Sequence, residues 1–220
     1  FSLGTYSFLR LGLQSVLAPR VRCEDMEQQA LVLDGGQLSG SQVIKVARKG
    51  NRVEIDEKAI SLIAKARNTV EEVLQTETPI YGINTGFGAL STTSISNEKL
   101  EELQMNLLRS HAAGVGEPLD QEIVRGMMLL LAASLCRGYS GVRPIVAETL
   151  VEMLNAGVTP IVPSRGSVGA SGDLAPLAHL ALVVCGEGKA TLGEKEMPGK
   201  AAMAAAGITP IIPAEKEGLA

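Results

Sequence analysis

Three glycines at regular spacing surround one serine in GSVGASGDLAP, residues 166–176. Gly166, Gly169 and Gly172 flank the Ala170-Ser171 pair, and Asp173 and a long apolar run follow at once. A loop needs one glycine to turn, because glycine alone tolerates positive φ without steric cost. Three of them ask for more: a backbone that can tighten around Ser171 just where a helix is about to begin. Any fold adopted by this chain has to accommodate that permissive loop at a helix N-terminus.

Apolar spacing predicts a mainly α chain, with long helices joined by glycine-rich loops. A strand-prone entry, LVLDGGQLSG, is punctuated by Gly35-Gly36 and Ser39-Gly40. Asp56 is expected to cap a helix to about Thr76, with Ala59, Ile60, Ile63, Val70, Val73 and Leu74 on one face. The loop PIYGINTGFGAL, residues 79–90, is too apolar to be merely a solvated connection. Ser96 or Asn97 starts a second helix whose buried stripe is Leu100, Leu103, Leu107 and Leu108, with His111 at the next inward position. A third helix runs from about Asp120 to Arg137 and stops at Gly138. The fourth opens on Pro144 and closes at Gly157, the usual proline-start, glycine-stop asymmetry. The fifth runs from Asp173 to Cys185, and KAAMAAAG forms a short one after it. The sequence contains no internal repeat.

Several function classes fall away. A net charge of −4 without a basic stripe argues against nucleic acid, and the absence of tryptophan removes stacking platforms. Cys23, Cys136 and Cys185 are odd in number and far apart, which fits reduced thiols in a cytoplasmic protein. With two histidines and no HExxH or CxxC spacing, no metal site is expected. The longest apolar runs fall short of the roughly 18 residues a membrane span needs. The glycine-rich loops lack the GK[ST] ending of a phosphate-binding P-loop. By default His179, between Ala178 and Leu180 in a helix, reads as a packing histidine, and so does His111.

PIYGINTGFG, NLLRSHAAGVGEPL, CRGYSGVRP and GSVGASGDLAPLAHLAL, in this order, resemble the histidine and aromatic amino-acid ammonia-lyases, most closely the histidine-specific branch. The resemblance runs from about Leu31 to Ala220. It implies a fold class that is mainly α, the N-terminal part of the ammonia-lyase fold, with the central helix bundle largely missing. It also implies a prosthetic group made from the chain itself. The Gly172 amide nitrogen attacks the Ala170 carbonyl, one water leaves to close a ring, and loss of the Ser171 hydroxyl leaves a 4-methylidene-imidazol-5-one. Enforced proximity has to overcome the poor nucleophilicity of an amide. Gly172 lacks a Cβ to block the attack, Ala170 leaves the ring room, and Ser171 carries the oxygen that departs.

In this family the electrophile makes the substrate amine a better leaving group while a base removes the β-proton, attack by the substrate's aromatic ring being the rival route. The resemblance gives Tyr81 as that base or a proton-relay partner, and His111 as the substrate-binding residue that contacts an imidazole. Gly82, Asn84, Gly169 and Asp173 are supporting positions. The implied reaction is non-oxidative elimination of ammonia from L-histidine to trans-urocanate, in a cytoplasmic homotetramer whose sites draw on three subunits. Phenylalanine or tyrosine ammonia-lyase, an aminomutase, or a catalytically inert truncated product are the alternatives.

The expected domain layout is an unassigned N-terminal extension over residues 1–25 and a catalytic part over 26–220. Residues 1–23 carry Arg10, Arg20, Arg22, three serines and no acid, while Met26 would make a reasonable start. A mitochondrial presequence, translated upstream sequence or a cut fragment are the readings of that segment.

Overall fold

A computed structural model of the chain describes residues 29–76, 80–83, 85, 97–166 and 174–219. Among these residues it is mainly α, with seven helices and seven short strands. The first strand, β1 (Leu31–Leu33), lies parallel to β2 (Val53–Ile55), with α1 (Gly40–Lys49) as the crossover between them. Helix α1 is absent from the sequence expectations above, where Ser39-Gly40 reads only as punctuation. It is nevertheless a fully signalled helix. The Gln42 amide donates to the Ser39 hydroxyl at 3.3 Å, while the Ser39 amide donates to the Gln42 side-chain oxygen at 2.8 Å. That reciprocal pair satisfies two otherwise orphaned donors.

Helix α2 (Glu57–Leu74) begins where expected, its Lys58 amide bonded to the Asp56 carboxylate at 2.7 Å. Ala59, Ile63 and Val70 are buried on its inner face, and so, unexpectedly, is Arg67. A buried guanidinium is tolerable only when its donors are matched. Here Nε donates to Glu71 at 3.0 Å, and the two terminal nitrogens donate to the Glu215 carbonyl and carboxylate at 2.9 and 3.0 Å.

Helices α3 (Asn97–His111), α4 (Gln121–Leu135), α5 (Pro144–Ala156) and α6 (Leu174–Val184) form the body. Helix α1 packs on α4, α4 on α5, and α3 on α6. Met128, Leu129, Ala132, Met153, Leu180 and Val158 are fully buried among them, an aliphatic core suited to a chain with no tryptophan. Helix α5 begins on Pro144 and ends at Gly157 with φ 74, a left-handed cap that a branched residue would strain. On α3 the buried positions include Gln104 as well as Leu108, while Leu103 and Leu107 are half-buried. The expected leucine stripe is therefore interrupted by an amide, whose Oε1 accepts the Gly218 N–H at 2.8 Å.

Three side chains tie the helices to the strands and to the last turn. Arg125 donates to the Leu154 carbonyl at 3.0 Å and to the Val46 carbonyl at 3.1 Å, so one cation serves the C-terminal ends of α5 and α1. The Asn155 amide both donates to and accepts from the Val53 backbone, at 2.8 and 2.9 Å, extending the β2 edge. Glu217, in a 3-10 turn over Glu217–Leu219, accepts from Arg143 and from the Ala214 amide. The remaining strands make two small antiparallel sheets. Strand β3 (Val115–Pro118) pairs with β5 (Pro163–Arg165). Strand β6 (Lys189–Leu192) sits between β4 (Val158–Pro160) and β7 (Lys195–Pro198), and α7 (Gly199–Ala205) follows.

Candidate active site

The β3–β5 ladder brings two of the singled-out segments together. Val115 stands opposite Arg165 and Pro118 opposite Pro163, so the residues just after His111 run beside those just before the glycine-flanked triplet. The approach continues past the ladder. A Cβ on Gly166 would lie 2.8 Å from the Gly114 Cα and 3.0 Å from the Ala175 Cβ. Gly166 is thus required by a neighbouring backbone, in addition to the loop-tightening role expected of it. Ala170, Ser171 and Gly172, with Gly169 and Asp173, lie outside the described residues. Their two flanks do not: Gly166 is wedged against Gly114, and Leu174 opens α6. A cavity of about 780 Å³ adjoins Gly166, lined mainly by apolar groups that include Leu119, Met127, Leu130, Leu131 and Leu177.

His111 is the last residue of α3 and half-buried. Its Nδ1 lies 2.8 Å from the Leu107 carbonyl, one turn back, and 3.2 Å from the Ser110 hydroxyl. A carbonyl can only accept, so Nδ1 carries the proton, and in the neutral ring Nε2 is left as an acceptor. The Ser110 hydroxyl itself donates to the Leu107 carbonyl at 2.8 Å, which leaves its lone pairs facing Nδ1–H. Arg109 reaches across to α6's exit and pairs with Glu187, Nε to carboxylate at 3.1 Å. That hydrogen bond and charge hold the Glu187 carboxyl below the usual carboxylate range.

His179, in the second turn of α6, accepts the Gly114 N–H on Nε2 at 3.0 Å. Desolvation pushes its pKa below the ordinary histidine value, in line with a neutral acceptor ring. The reading of His179 as a satisfied, packed histidine agrees with this geometry, although its partner is the turn that leaves His111. Sequence reasoning singled out neither Gly114 nor the Arg109–Glu187 pair. Glycine in SHAAG was the only available signal for the first. Nothing in the sequence pairs residues 78 apart for the second.

Tyr81 occupies a reverse turn closed by the Ile83 amide on the Ile80 carbonyl at 3.1 Å. Gly82 takes the third position with φ 77, where a type II turn requires a positive φ. The turn exposes Tyr81 at its tip, 61% accessible, while Thr85 just beyond is buried. Asn84 lies outside the described residues. Ile83 lines a cavity of about 560 Å³ with Leu62, Val70, Gly138, Tyr139 and Lys216, so the Tyr81 turn lies against α2 and the CRGYSGVRP segment. The side-chain hydrogen bonds of His111 to Leu107 and Ser110 stay within α3.

Among the described residues no cluster of three or more His, Cys, Asp or Glu could hold a metal ion. No helix among them is long and apolar enough to cross a membrane.

A family model for aromatic amino acid lyases matches residues 38–220. Over 190 residues the chain is 53% identical to a histidine ammonia-lyase of Gloeobacter violaceus, a match covering 86% of this chain and 37% of that one. The solved histidine ammonia-lyase of Trypanosoma cruzi superposes with a TM-score of 0.79 at 40% identity, covering 86% of this chain and 36% of that one. An ergothionase of Treponema denticola gives a TM-score of 0.83 at 32% identity, over 86% and 38%. The chain therefore spans a little over a third of the length of the proteins it matches.

Proposed function

Because the chain belongs to the aromatic amino acid lyase family, we propose that it is the electrophile-bearing part of an enzyme eliminating ammonia from L-histidine to give trans-urocanate, the first step of histidine degradation. One observation carries the reading: the contact between Gly114 and Gly166, which sets the turn leaving His111 against the residue from which the chain leads on to Ala170, Ser171 and Gly172. The similarity to histidine ammonia-lyases supports histidine over phenylalanine or tyrosine as substrate.

Residues 170–172 suit the self-made group in their chemistry, and the glycine cradle at their N-terminal flank has no room for a Cβ. Once formed by cyclisation of these residues, a 4-methylidene-imidazol-5-one supplies the electron-poor alkene that activates the substrate toward loss of its amine. The protein's own side chains do the rest. Overall, the Cβ–H and Cα–N bonds of the substrate break, a Cα=Cβ bond forms, and ammonia departs. Tyr81 takes the β-proton, as the base or as a proton-relay partner, and the proton leaves with the released ammonia as ammonium. His111 orients the substrate: with Nδ1–H committed to the Leu107 carbonyl, Nε2 accepts the N–H of a substrate imidazole. Asp173 and the N-terminus of α6 lie next to the triplet in sequence, where the positive end of a helix favours developing negative charge. Gly82 and Asn84 support the Tyr81 turn, and Gly169 supports the triplet. Residues 1–25 stand outside this catalytic part, 26–220. The full-length enzyme acts as a cytoplasmic homotetramer that needs neither metal nor nucleotide.

The test uses the full-length protein. The peptide containing Ala170-Ser171-Gly172 is expected to weigh two water molecules less than its encoded mass, and Ser171→Ala is expected to abolish both that deficit and urocanate formation. His111→Leu is expected to lower kcat/KM for histidine about 10²-fold or more, because loss of a hydrogen-bonding pocket group is poorly compensated. An unmodified peptide in an enzyme that still makes urocanate would overturn the electrophile, and an unchanged kcat/KM in His111→Leu would overturn the histidine assignment.

A further inference from the structure

The chain has two histidines, and both act on the same short turn. His111 ends α3, the Ala113 amide bonds back to the His111 carbonyl at 2.8 Å, and the Gly114 amide then donates to His179 Nε2 at 3.0 Å. Nothing smaller than direct contact separates these groups. A Cβ on Gly114 would fall 2.9 Å from His179 Nε2, 3.2 Å from its Cδ2 and 3.2 Å from the Pro163 Cβ. Gly166 also closes on this residue, a Cβ on Gly166 falling 2.8 Å from the Gly114 Cα. The turn is thus held between the imidazole of α6 and the backbone that leads into residues 167–173.

We propose that His179 is a positioning residue, which fixes the turn leaving His111, and through it the His111 imidazole, relative to the helix that begins immediately after Asp173. A helix end is the least constrained part of a helix, since its last carbonyls lack intrahelical partners. His111 sits at such an end and needs an external anchor to keep one orientation. His179 supplies it from the helix whose start is covalently continuous with the triplet, so the two halves of the site move as one body. The acceptor role dictates the ring's state: Nε2 bare, Nδ1 protonated. The bidentate Arg109–Glu187 pair adds a second tie, from α3 to the exit of α6, but it is about half-exposed and contributes little. The catalytic consequence rests on the role proposed above for His111, whereas the hydrogen bond itself does not.

Two measurements separate these. In the full-length enzyme labelled with ¹⁵N-histidine, a ring in the Nδ1–H tautomer with Nε2 accepting a hydrogen bond is expected, and its signal is expected to vanish in His179→Gln. A Nε2–H tautomer for His179 would overturn the proposal whatever the enzyme does. In the full-length enzyme, His179→Leu is expected to raise KM for histidine about tenfold with a smaller change in kcat, the loss of one part-buried acceptor. His179→Gln, which places an amide oxygen near the former Nε2, is expected to recover most of that affinity. Unchanged KM in His179→Leu, or equal damage in His179→Leu and His179→Gln, would overturn the positioning role. Should His179→Leu fail to fold, Gly114→Ala puts a methyl group against the intact ring and is expected to raise KM in the same way. A correct tautomer in a protein with no histidine turnover would sink the proposed function and leave the anchor standing.

Discussion

Removing the Glu217 carboxylate tests how firmly the last described turn is bound to the body of the protein. The side chain of Glu217 is 1% exposed. One carboxylate oxygen accepts the Arg143 backbone amide at 2.8 Å and its Nε at 2.9 Å, while the other accepts Arg143 Nη2 at 2.7 Å and the Ala214 amide at 2.7 Å. In Glu217→Ala all four donors lose this acceptor, although Arg143 Nη2 keeps the Ile212 carbonyl at 2.6 Å. The guanidinium can turn toward solvent, being about a third exposed, but the two backbone amides cannot. Each stranded backbone donor costs about 1–3 kcal/mol, so the two amides together account for about 2–6 kcal/mol. We therefore expect a loss of about 2–6 kcal/mol, or roughly 4–24 °C in Tm for a domain of this size. Urea unfolding followed by circular dichroism measures it, with an unchanged slope identifying a stability effect rather than an altered unfolded state. Glu196→Ala is the internal control. Its carboxylate pairs with Lys189 where both side chains are more than half exposed, and its removal is expected to cost no more than about 1 kcal/mol. If Glu217→Ala cost as little as Glu196→Ala, the argument from buried acceptors would be refuted.

Gly166→Ala is expected to destabilise the protein by about 1–3 kcal/mol, because the new methyl meets the Gly114 backbone, which cannot yield as a side chain can. Matched unfolding curves would check this, and a neutral effect would deny the close approach. Burial raises the thiols of Cys136 to about 11 and Cys185 to about 12, so at pH 8 a thiol reagent is expected to leave both untouched in the folded chain and to modify both in urea. The His179 pKa lies below its unfolded value, so the folded state prefers the neutral ring. Its contribution is present above the unfolded value of about 6.5 and is lost as pH falls through the lower folded value. The stability difference between wild type and His179→Gln is therefore expected to shrink on going from pH 8 to pH 5, and a constant difference would refute it.

Helices whose signals are local were legible in the sequence. Asp56 and the Pro144-to-Gly157 pair mark the ends of α2 and α5 because caps depend on residues within one turn. Helix α1 carried an equally local signal, serine with glutamine three residues on, yet the neighbouring glycines drew the reading toward a loop. The buried Arg67 and Gln104 were not legible. Each sits on a stripe that periodicity fills with leucine and alanine, and each is made tolerable by partners more than a hundred residues away, Glu215 and Gly218. The short strands escaped for a related reason, since three or four residues carry too little alternation to declare a period of two. For the site, the motifs named Tyr81, His111 and residues 170–172. What the motifs could not convey is the meeting of Gly114, Gly166 and His179, which exists only once β3 and β5 have paired.

That pairing also sets an order of events. Strands β3 and β5 close a long excursion of chain made of α4, α5 and β4, whose two ends return to the same place. Contacts between residues so far apart in sequence form late, because the loop-closure entropy has to be met before they can stabilise anything. The ring closure proposed at residues 170–172 is therefore expected to wait on folding of the α4–α5 pair. Substitutions in those two helices, far from any reacting atom, would show first as slow maturation of a normal enzyme, with fewer finished sites early after synthesis and full affinity in each one completed.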